Sequence, residues 1–262
     1  MPFSLTHGLP AGRFTPHGPS HIWISDEFPR ALRELWPRLL SEHGTTGLLP
    51  VLYRGDVIGE PLDPGLVDDL CLEEVLATGF AEYRRRRLPL WTNPTPEPEP
   101  VPEDVEPWPH DPGPPFAQWP GLAPAMPVAP TGPTPQEAAS GAPARIARTD
   151  HGVLDCRLVL VPARRGSDAL ALLGWNSEAP LPLLCALLRS WEERFGAHLV
   201  AVHGGTLDIS VARPPRTAEH ADLLALEHVL STANNIVDDP PTPFPDYAAD
   251  LVGRDHWSFW WD

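Results

Sequence analysis

Half of the prolines in this chain fall within one stretch, and this limits where regular structure can form. Residues 89–143 contain 18 of the 36 prolines, and the run PTPEPEPVPE begins at Pro94. Proline cannot donate a backbone hydrogen bond within a helix or an internal strand, and the interspersed carboxylates repel one another. We therefore expect an extended, polyproline-like linker over about 93–118. Local contacts are expected to resume within 119–150, where the segment WPGLA begins at Trp119.

This proline distribution predicts a three-part chain. We expect a small N-terminal α/β region at 1–92, an acidic proline-rich linker at 93–150 that is disordered in part, and a C-terminal domain at 151–262. The length of 262 residues suits two small domains, or one domain with long extensions. Hydrophobic residues make up 42% of the chain, which is enough for a folded core.

Apolar periodicity predicts three elements in the N-terminal region. A helix is expected from about residue 28, with one apolar face. That face is formed by Leu32, Leu35, Trp36, Leu39 and Leu40. Pro37 interrupts the pattern and predicts a kink or break near Trp36. Residues 47–53 are typical of a strand, and residues 72–87 of a second helix.

The C-terminal domain is more clearly patterned. Strands are predicted at 157–161, 199–202, 207–211 and 256–261, and helices at 168–173, 182–195 and 217–231. Ser167 or Asp168 is expected to cap the first of these helices, and Gly204 and Gly205 are expected to form a hairpin turn with positive φ at both positions. Strands separated by helices predict an α+β fold, with a mixed C-terminal α/β domain that contains a β-hairpin and a terminal strand.

The charged residues exclude several classes of function. The chain has no lysine, so all 19 basic residues are arginine. This excludes a phosphate-binding loop with its Gly-Lys pair, Schiff-base chemistry and Ser–Lys dyads. A formal charge of −16 argues against nucleic-acid binding, because the only dense basic run is 84–87. Arginine in place of lysine, with many alanines and prolines, indicates a GC-rich bacterial genome.

The cysteines and the hydropathy pattern predict a soluble cytoplasmic protein. Cys71, Cys156 and Cys185 are far apart in sequence and lie among apolar residues, so we expect three buried, reduced thiols. The first residues have neither a basic segment nor an apolar segment typical of a signal peptide. No apolar run approaches the roughly 18–20 residues that cross a bilayer, so no membrane association is expected.

Several blocks of the C-terminal domain resemble a known family. They are LVLVPARRGSD at 158–168, GW at 174–175, LRSWEERFG at 188–196, LDISVARPP at 207–215 and WSFWWD at 257–262. Together they resemble the bacterial domain of unknown function 4253 family over about 151–262. The resemblance implies a compact C-terminal domain, and it implies no activity, catalytic residue or cofactor. Two segments depart from the family pattern, namely the hairpin turn after His203 and residues 232–235.

The strand–helix junction at 162–167 is a candidate anion site. Free N–H groups at a helix N-terminus favour anions, and two guanidinium groups can bind a carboxylate or phosphate in a bidentate manner. The candidate residues are Arg164, Arg165, Ser167 and Arg213. The alternative, which is the more ordinary one, is that these arginines pair with the protein's own surface carboxylates.

The tryptophans of the C-terminal domain form a second candidate site. An aromatic groove suits a peptide or a planar ligand, but a small domain also uses large aromatic residues for its core. Trp191 falls on the apolar helix face and is expected in the core. Trp260 is expected to face opposite Trp257, and Trp175, Trp260 and Asp262 are the interface candidates.

No metal, cofactor or catalytic group is expected. His220 and His228 are eight residues apart and do not fit metal-ligand spacing, and His203 and Asp208 flank the hairpin turn, where we expect them to be solvated. No serine or cysteine has the glycine neighbours of a nucleophile elbow. These observations favour a non-catalytic protein- or peptide-binding module, in which the C-terminal domain binds the partner. The alternative is an enzyme or receptor for a small anionic metabolite that uses the arginine-lined junction.

Overall fold

Strands from both ends of the chain meet in one mixed sheet. The computed structural model describes residues 7–55, 58–92, 110–149, 151–175, 178–237 and 242–262. Within these residues the strands are β1 Gly12–His17, β2 Ser20–Ser25, β3 Leu48–Arg54, β4 Arg157–Pro162, β5 Ala197–His203, β6 Thr206–Val211 and β7 His256–Trp260. Their spatial order is β1-β2-β4-β3-β5-β6-β7. Neighbouring strands are antiparallel except for β3 and β5, which are parallel.

The chain divides into two compact units, and the sheet belongs to the first of them. This sheet unit comprises residues 1–70, 125–214 and 255–262. Its helices are α1 Leu32–Thr46, α2 Pro64–Asp68, α4 Pro135–Ala139, α5 Ala142–Thr149, a 3₁₀ helix at His151–Asp155, α6 Gly166–Leu173 and α7 Leu181–Phe195. The helical unit comprises residues 71–124 and 215–254. Its helices are α3 Leu72–Thr92, α8 Ala218–Leu230, α9 Asn234–Val237 and α10 Phe244–Leu251.

One face of the sheet packs on α1, α4 and α5. The apolar residues predicted for the first helix are all buried on α1, which confirms that face. They pack with Leu52 of β3, Leu158 of β4 and Ile146 of α5 in one apolar cluster. The indole Nε1 of Trp36 donates a 3.0 Å hydrogen bond to the carbonyl of Ala139, so α1 is also joined to the end of α4.

The other face of the sheet packs on α7 through aromatic rings. Trp191 is fully buried, as predicted, and stacks on Phe259 of β7 with 5.3 Å between ring centroids. It also meets Trp257 edge-on at 5.7 Å. Gly196 ends α7 with a left-handed φ of 62°, a conformation that a glycine adopts without strain.

The helical unit has its own small core. Leu76, Phe80 and Trp91 of α3 are buried, and Phe80 packs against Trp119 with 6.3 Å between ring centroids. The backbone N–H of Ala123 donates a 2.8 Å hydrogen bond to the carboxylate of buried Glu227 on α8. Thr217 accepts from the backbone N–H of His220, which confirms it as the predicted cap of α8.

Two local predictions about the helices are wrong. Helix α1 continues through Pro37 without a break, because proline removes only one intrahelical hydrogen bond and the five apolar side chains around it stay packed. Helix α6 is capped by Arg165 rather than by Ser167 or Asp168, since it begins two residues earlier than predicted. Ser167 therefore lies inside its first turn, and its hydroxyl has another partner.

The hairpin between β5 and β6 forms where it was predicted, with a different turn. Gly204 has a φ of 56°, whereas Gly205 has no positive φ. The β5–β6 register also shifts between Leu199 and Ala201, where a bulge interrupts the ladder. The terminal strand alternates between partly buried and buried residues, as its sequence predicted.

The α+β class is confirmed, since one mixed sheet is combined with helices on both faces and with a helical unit. The division into 1–92, 93–150 and 151–262 stays a prediction. Most of the extended linker that we expect, residues 93–109, lies outside the described residues. Residues 110–149 are described and include α4 and α5.

The three cysteines are free thiols, and their predicted burial is correct for two of them. Cys156 and Cys185 are buried, whereas Cys71 is exposed because it immediately precedes α3 rather than lying on its packed face. Over the part of the chain that the structure describes, no helix combines the length and the apolar character needed to cross a membrane.

Candidate functional site

The N-terminus of α6, where an anion was predicted to bind, holds the side chain of Glu192 from α7. The backbone N–H of Ser167 donates to Oε1 of Glu192 at 3.1 Å, and its Oγ donates to Oε2 at 2.9 Å. Burial raises the pKa of Glu192 to about 7, against the opposing effect of the hydrogen bonds from Ser167 and Gly166. A helix N-terminus stabilises a carboxylate through its free N–H groups and its dipole. An external anion would have to displace Glu192 from these donors.

The arginines of this junction have different environments. Arg165 pairs with Asp168 at 3.5 Å and with Glu193 at 3.2 Å. Arg213, just after β6, donates from Nη2 to the backbone carbonyl of Glu193 at 3.3 Å. Arg164 is exposed and forms no ion pair within the described residues. The structure thus brings Arg165, Ser167 and Arg213 to one corner, where acidic residues of the chain already contact them.

The three interface candidates near the C-terminal strand do not form one surface. Trp175 is only 4% exposed, and its indole Nε1 donates a 2.9 Å hydrogen bond to the carbonyl of Gly204. Its ring meets Trp261 edge-on at 5.5 Å, so Trp175 belongs to the core of the sheet unit. Trp260 is partly exposed, opposite Thr206 in the sheet register, and Asp262 is exposed.

A buried His–Asp–His cluster, which the sequence analysis missed, joins β5, β6 and β7. The Nε2 atoms of His203 and His256 lie 2.9 Å from Oδ2 and Oδ1 of Asp208, respectively. Both nitrogens must donate, because an ionised carboxylate only accepts hydrogen bonds. Burial alone would raise the pKa of Asp208, but the two histidine hydrogen bonds and their charge outweigh it, so this pKa lies below its ordinary value.

His203 and Asp208 were expected to be solvated because they flank a turn. This prediction is wrong, since both side chains are buried. Their side chains are 2% and 1% exposed, and that of His256 is 22% exposed. The signal in the sequence was the alternation of β6, in which Asp208 and Ser210 occupy one face and Leu207, Ile209 and Val211 the other. Polar residues on a strand that is buried on both faces indicate partners on neighbouring strands.

The same sheet face carries two buried polar atoms that have no hydrogen-bond partner among the described residues. They are Nε2 of His198 and Oγ of Ser210, which belong to residues paired across β5 and β6. Burial lowers the pKa of His198 to about 4, and nearby His43 lowers it further, so the ring is neutral near pH 7. Its neutrality allows His198 to remain in the core at a modest cost.

The metal-ligand chemistry considered for His220 and His228 has no geometric support. Nδ1 of His228 lies 2.8 Å from the hydroxyl of Tyr247, within the helical unit. Among the residues that the structure describes, no three His, Cys, Asp or Glu side chains have an arrangement that could hold a metal ion.

An open groove of about 410 Å³ runs between the start of α1 and the helix α5. We call it the α1–α5 groove, and its volume falls within the range typical of ligand sites. Its apolar floor is formed by Phe28, Leu32, Trp36, Ala144, Ala147 and Leu154. Trp36 is buried at the bottom of the groove, whereas Leu154 is 45% exposed at its edge.

The rim of the groove carries three arginines that form no ion pair with any other described residue. They are Arg30 and Arg33 on the α1 side and Arg148 on the α5 side, and all three are exposed. None of them pairs with a carboxylate within the described residues. Other arginines do, namely Arg13, Arg54, Arg86, Arg145, Arg165 and Arg189. Glu34 is the one acidic residue among the described residues that line the groove.

A second cavity of about 540 Å³ lies on the other side of Phe28, and its charges are mixed. Asp26 and Glu27 line it together with Arg30, and Asp26 pairs with Arg13 at 2.8 Å. A cavity lined by both signs of charge does not select an anionic or a cationic ligand. The α1–α5 groove is therefore the better-defined candidate, although it is the smaller one.

The sequence alone gave no sign of the α1–α5 groove. Its walls come from residues 28–36 and 140–154, which are separated by more than 100 residues and by the proline-rich stretch. Only the α1 wall was predicted as a helix, and the α5 wall fell within the predicted linker. The unpaired state of the three arginines also depends on tertiary placement.

Comparison with known proteins adds a family for the C-terminal part of the chain. Residues 157–262 match the model of a family described as Domain of unknown function (DUF4253). No curated protein and no solved structure matches the chain. The matched residues include the α6 junction and the His–Asp–His cluster, whereas the walls of the α1–α5 groove precede them. This match over residues 157–262 confirms the resemblance to the DUF4253 family that the sequence blocks predicted.

Proposed function

We propose that this protein is a non-catalytic binding module for a protein or peptide partner rich in carboxylates, which docks in the α1–α5 groove. One observation carries the proposal: three arginines that form no ion pair with the described residues line an apolar groove, in a chain with 35 acidic residues. Carboxylates within the chain are abundant, yet none neutralises this rim within the described residues. An acidic partner would supply the missing charges.

The chain's charge would also orient such a partner. A protein with a formal charge of −16 repels acidic molecules over most of its surface, so an arginine cluster becomes the place of favourable approach. Complementary charges of this kind contribute more to specificity and association rate than to affinity. The rim is positively charged whereas most of the surface is negatively charged. This difference in charge would direct an acidic partner to one docking site.

The affinity should be modest. Exposed ion pairs contribute about 0.2–1 kcal/mol each, so three of them give roughly 1–3 kcal/mol. The apolar floor must supply the remainder by burying side chains of the partner. We expect dissociation constants in the micromolar range, on the order of −8 kcal/mol.

We place this binding in a bacterial cytoplasm. The support is the presence of three free thiols, two of them buried. Burial raises the pKa of Cys185 to about 12, so this thiol is protonated and unreactive near pH 7. Reduced structural thiols of this kind suit an intracellular compartment.

Two variants with the same net charge test the proposal. The groove variant carries Arg30→Gln, Arg33→Gln and Arg148→Gln, and the control carries Arg85→Gln, Arg164→Gln and Arg216→Gln. The control arginines are also exposed and without ion pairs in the described residues. Each variant loses three positive charges, so any difference between them reports position rather than net charge.

The probe is a fluorescein-labelled peptide of leucine, glutamate and alanine, about 18 residues long, and its binding is followed by fluorescence anisotropy. We expect the groove variant to bind it at least about fivefold more weakly than the unchanged protein, and the control to differ by less than about twofold. Equal loss in both variants would overturn the proposal. A larger loss in the control would also overturn it, because binding of the peptide would then depend on arginines outside the groove.

A further inference from the structure

We infer that the partner docks in the α1–α5 groove as an amphipathic α-helix whose apolar stripe is bordered by carboxylates. The inference rests on the proposed function and makes it more specific, because an acidic partner could equally bind in an extended form. The helical form is selected by the shape of the groove walls and by the positions of their charges.

Both walls present side chains with helical spacing. On the α1 side, Leu32 and Trp36 are four residues apart on the helix, and Phe28 lies in the loop just before it. On the α5 side, Ala144 and Arg148 are also four residues apart, as are Pro143 and Ala147. Rows of this spacing form ridges on a helix surface, and the groove between two such ridges accepts the side-chain ridge of another helix.

The α5 wall allows a helix backbone to come close. Its lining residues Gly141, Ala144 and Ala147 have short side chains or none. Helices that meet through small residues approach at the lower end of the usual range of about 8–10 Å between axes. The apolar side chains of the incoming helix can then reach Trp36 at the bottom of the groove.

Leu154 extends the apolar floor beyond the two helices. It lies on the 3₁₀ helix at His151–Asp155 and is 45% exposed, although it is a large apolar residue. A helix with apolar residues at i, i+3 or i+4, and i+7 would cover both the floor and Leu154. A single small ligand would cover only one part.

The rim charges lie on both sides of the floor. Arg30 and Arg33 are on the α1 side and Arg148 is on the α5 side, so the carboxylates of a helical partner would border its apolar stripe on both sides. Glu34 is exposed on the same rim and would repel a carboxylate opposite it. We therefore assign Glu34 as a specificity-determining residue that selects a neutral or basic side chain at that position.

The test compares two peptides of identical composition. In the helical probe, leucines are spaced at i, i+3, i+4 and i+7 and glutamates flank them, whereas in the scrambled probe the leucines are distributed around the helix. We expect the helical probe to bind at least tenfold more tightly and to gain helical circular dichroism on binding. Equal affinity of the two probes, with loss of both in the groove variant, would overturn the helical inference and leave the proposed function standing.

Further variants test the location of the docked helix. Leu154→Glu should weaken the helical probe at least fivefold, whereas Leu66→Glu, at a leucine that is 55% exposed on α2, should not. Glu34→Gln should strengthen it two- to fivefold. Failure of both probes to bind would overturn the inference and the proposed function together. Sedimentation that shows a dimer lost with Leu154→Glu would identify a second copy as the occupant and overturn the inference.

Discussion

The hydroxyl of Ser167 and the carboxylate of Glu192 are joined by a 2.9 Å hydrogen bond between α6 and α7. The backbone N–H of Ser167 binds the other oxygen of the same carboxylate at 3.1 Å. A side chain of the protein therefore occupies the place at which the sequence predicts an external anion. Because the pKa of Glu192 is raised to about 7 by burial, this contact also makes stability depend on pH.

Glu192→Gln should remove a loss of stability between pH 4.5 and 7. The folded state keeps a proton on Glu192 that the unfolded state releases above its ordinary pKa of 4.5, so stability falls as pH rises through about 7. At about 1.4 kcal/mol per pKa unit, this loss is at most about 3 kcal/mol. Urea unfolding at about pH 5 and about pH 7.5 measures it for both proteins. An equal change with pH in the two proteins would contradict the effect.

Glu192→Ala should open the α6 N-terminus to inorganic phosphate. The free N–H groups of Gly166 and Ser167 would then lack their internal carboxylate, and Arg165 lies beside them. We expect phosphate at tenfold its dissociation constant to stabilise this variant by about 1.4 kcal/mol, measured as a rise in Tm. The unchanged protein and Glu193→Ala are the controls and should not respond. A variant that phosphate does not stabilise would remove the support for an anion site at this junction.

His198→Gln should reduce the loss of folding stability that occurs as the pH falls from 6.5 to about 4. Burial and nearby His43 lower the pKa of His198 to about 4 from an ordinary 6.5, so its contribution is complete above pH 6.5 and is lost as pH falls through about 4. As the pH falls, the unfolded state binds this proton before the folded state does, so stability falls. The effect of Glu192 on stability has the opposite dependence on pH. Urea unfolding at about pH 4.5 and about pH 6.5 compares the variant with His21→Gln, an exposed histidine. Equal slopes in both variants would contradict this prediction.

Local patterns in the sequence predicted the elements whose packing is periodic. The apolar face of α1 was predicted because Leu32, Leu35, Trp36, Leu39 and Leu40 follow the helical period. The helix predicted over 182–195 does end at Phe195, where Gly196 adopts a left-handed φ. The break predicted near Pro37 does not form. Proline locally disfavours a helix, but the tertiary packing of the apolar face outweighs this effect.

The sites could not be predicted, because they join distant segments. The α1–α5 groove needs residues 28–36 and 140–154 to lie side by side. Neither segment has a sequence pattern that predicts contact with the other. Asp208 was predicted to be solvated because it follows a turn, yet its partner His256 is 48 residues away. The strand order that brings β7 beside β6 is a property of the whole sheet and of no single stretch.

Asp208→Asn should destabilise the sheet unit strongly. Each histidine contacts a different carboxylate oxygen, and asparagine replaces one of these oxygens by an NH2 group that donates, so one histidine N–H faces a donor and loses its acceptor. Breaking a buried, charge-assisted contact of this kind costs about 3–5 kcal/mol. Urea unfolding measures the loss, with Asp222→Asn on α8 as the control for removal of one carboxylate. A loss below about 1 kcal/mol would show that the cluster is not a structural link between the three strands.

Two tryptophans of the C-terminal domain should behave oppositely when they are truncated. Trp191→Ala removes a fully buried ring that stacks on Phe259, and large-to-small changes of this type cost about 3–5 kcal/mol. Trp260→Ala removes a partly exposed ring and should cost about 1 kcal/mol. Because Trp260 does not line the α1–α5 groove, its truncation should leave binding of the acidic helical probe unchanged. Anisotropy measures the binding and circular dichroism checks the fold. Loss of binding with an intact fold would show that the interface lies at the terminal strand and not in the groove.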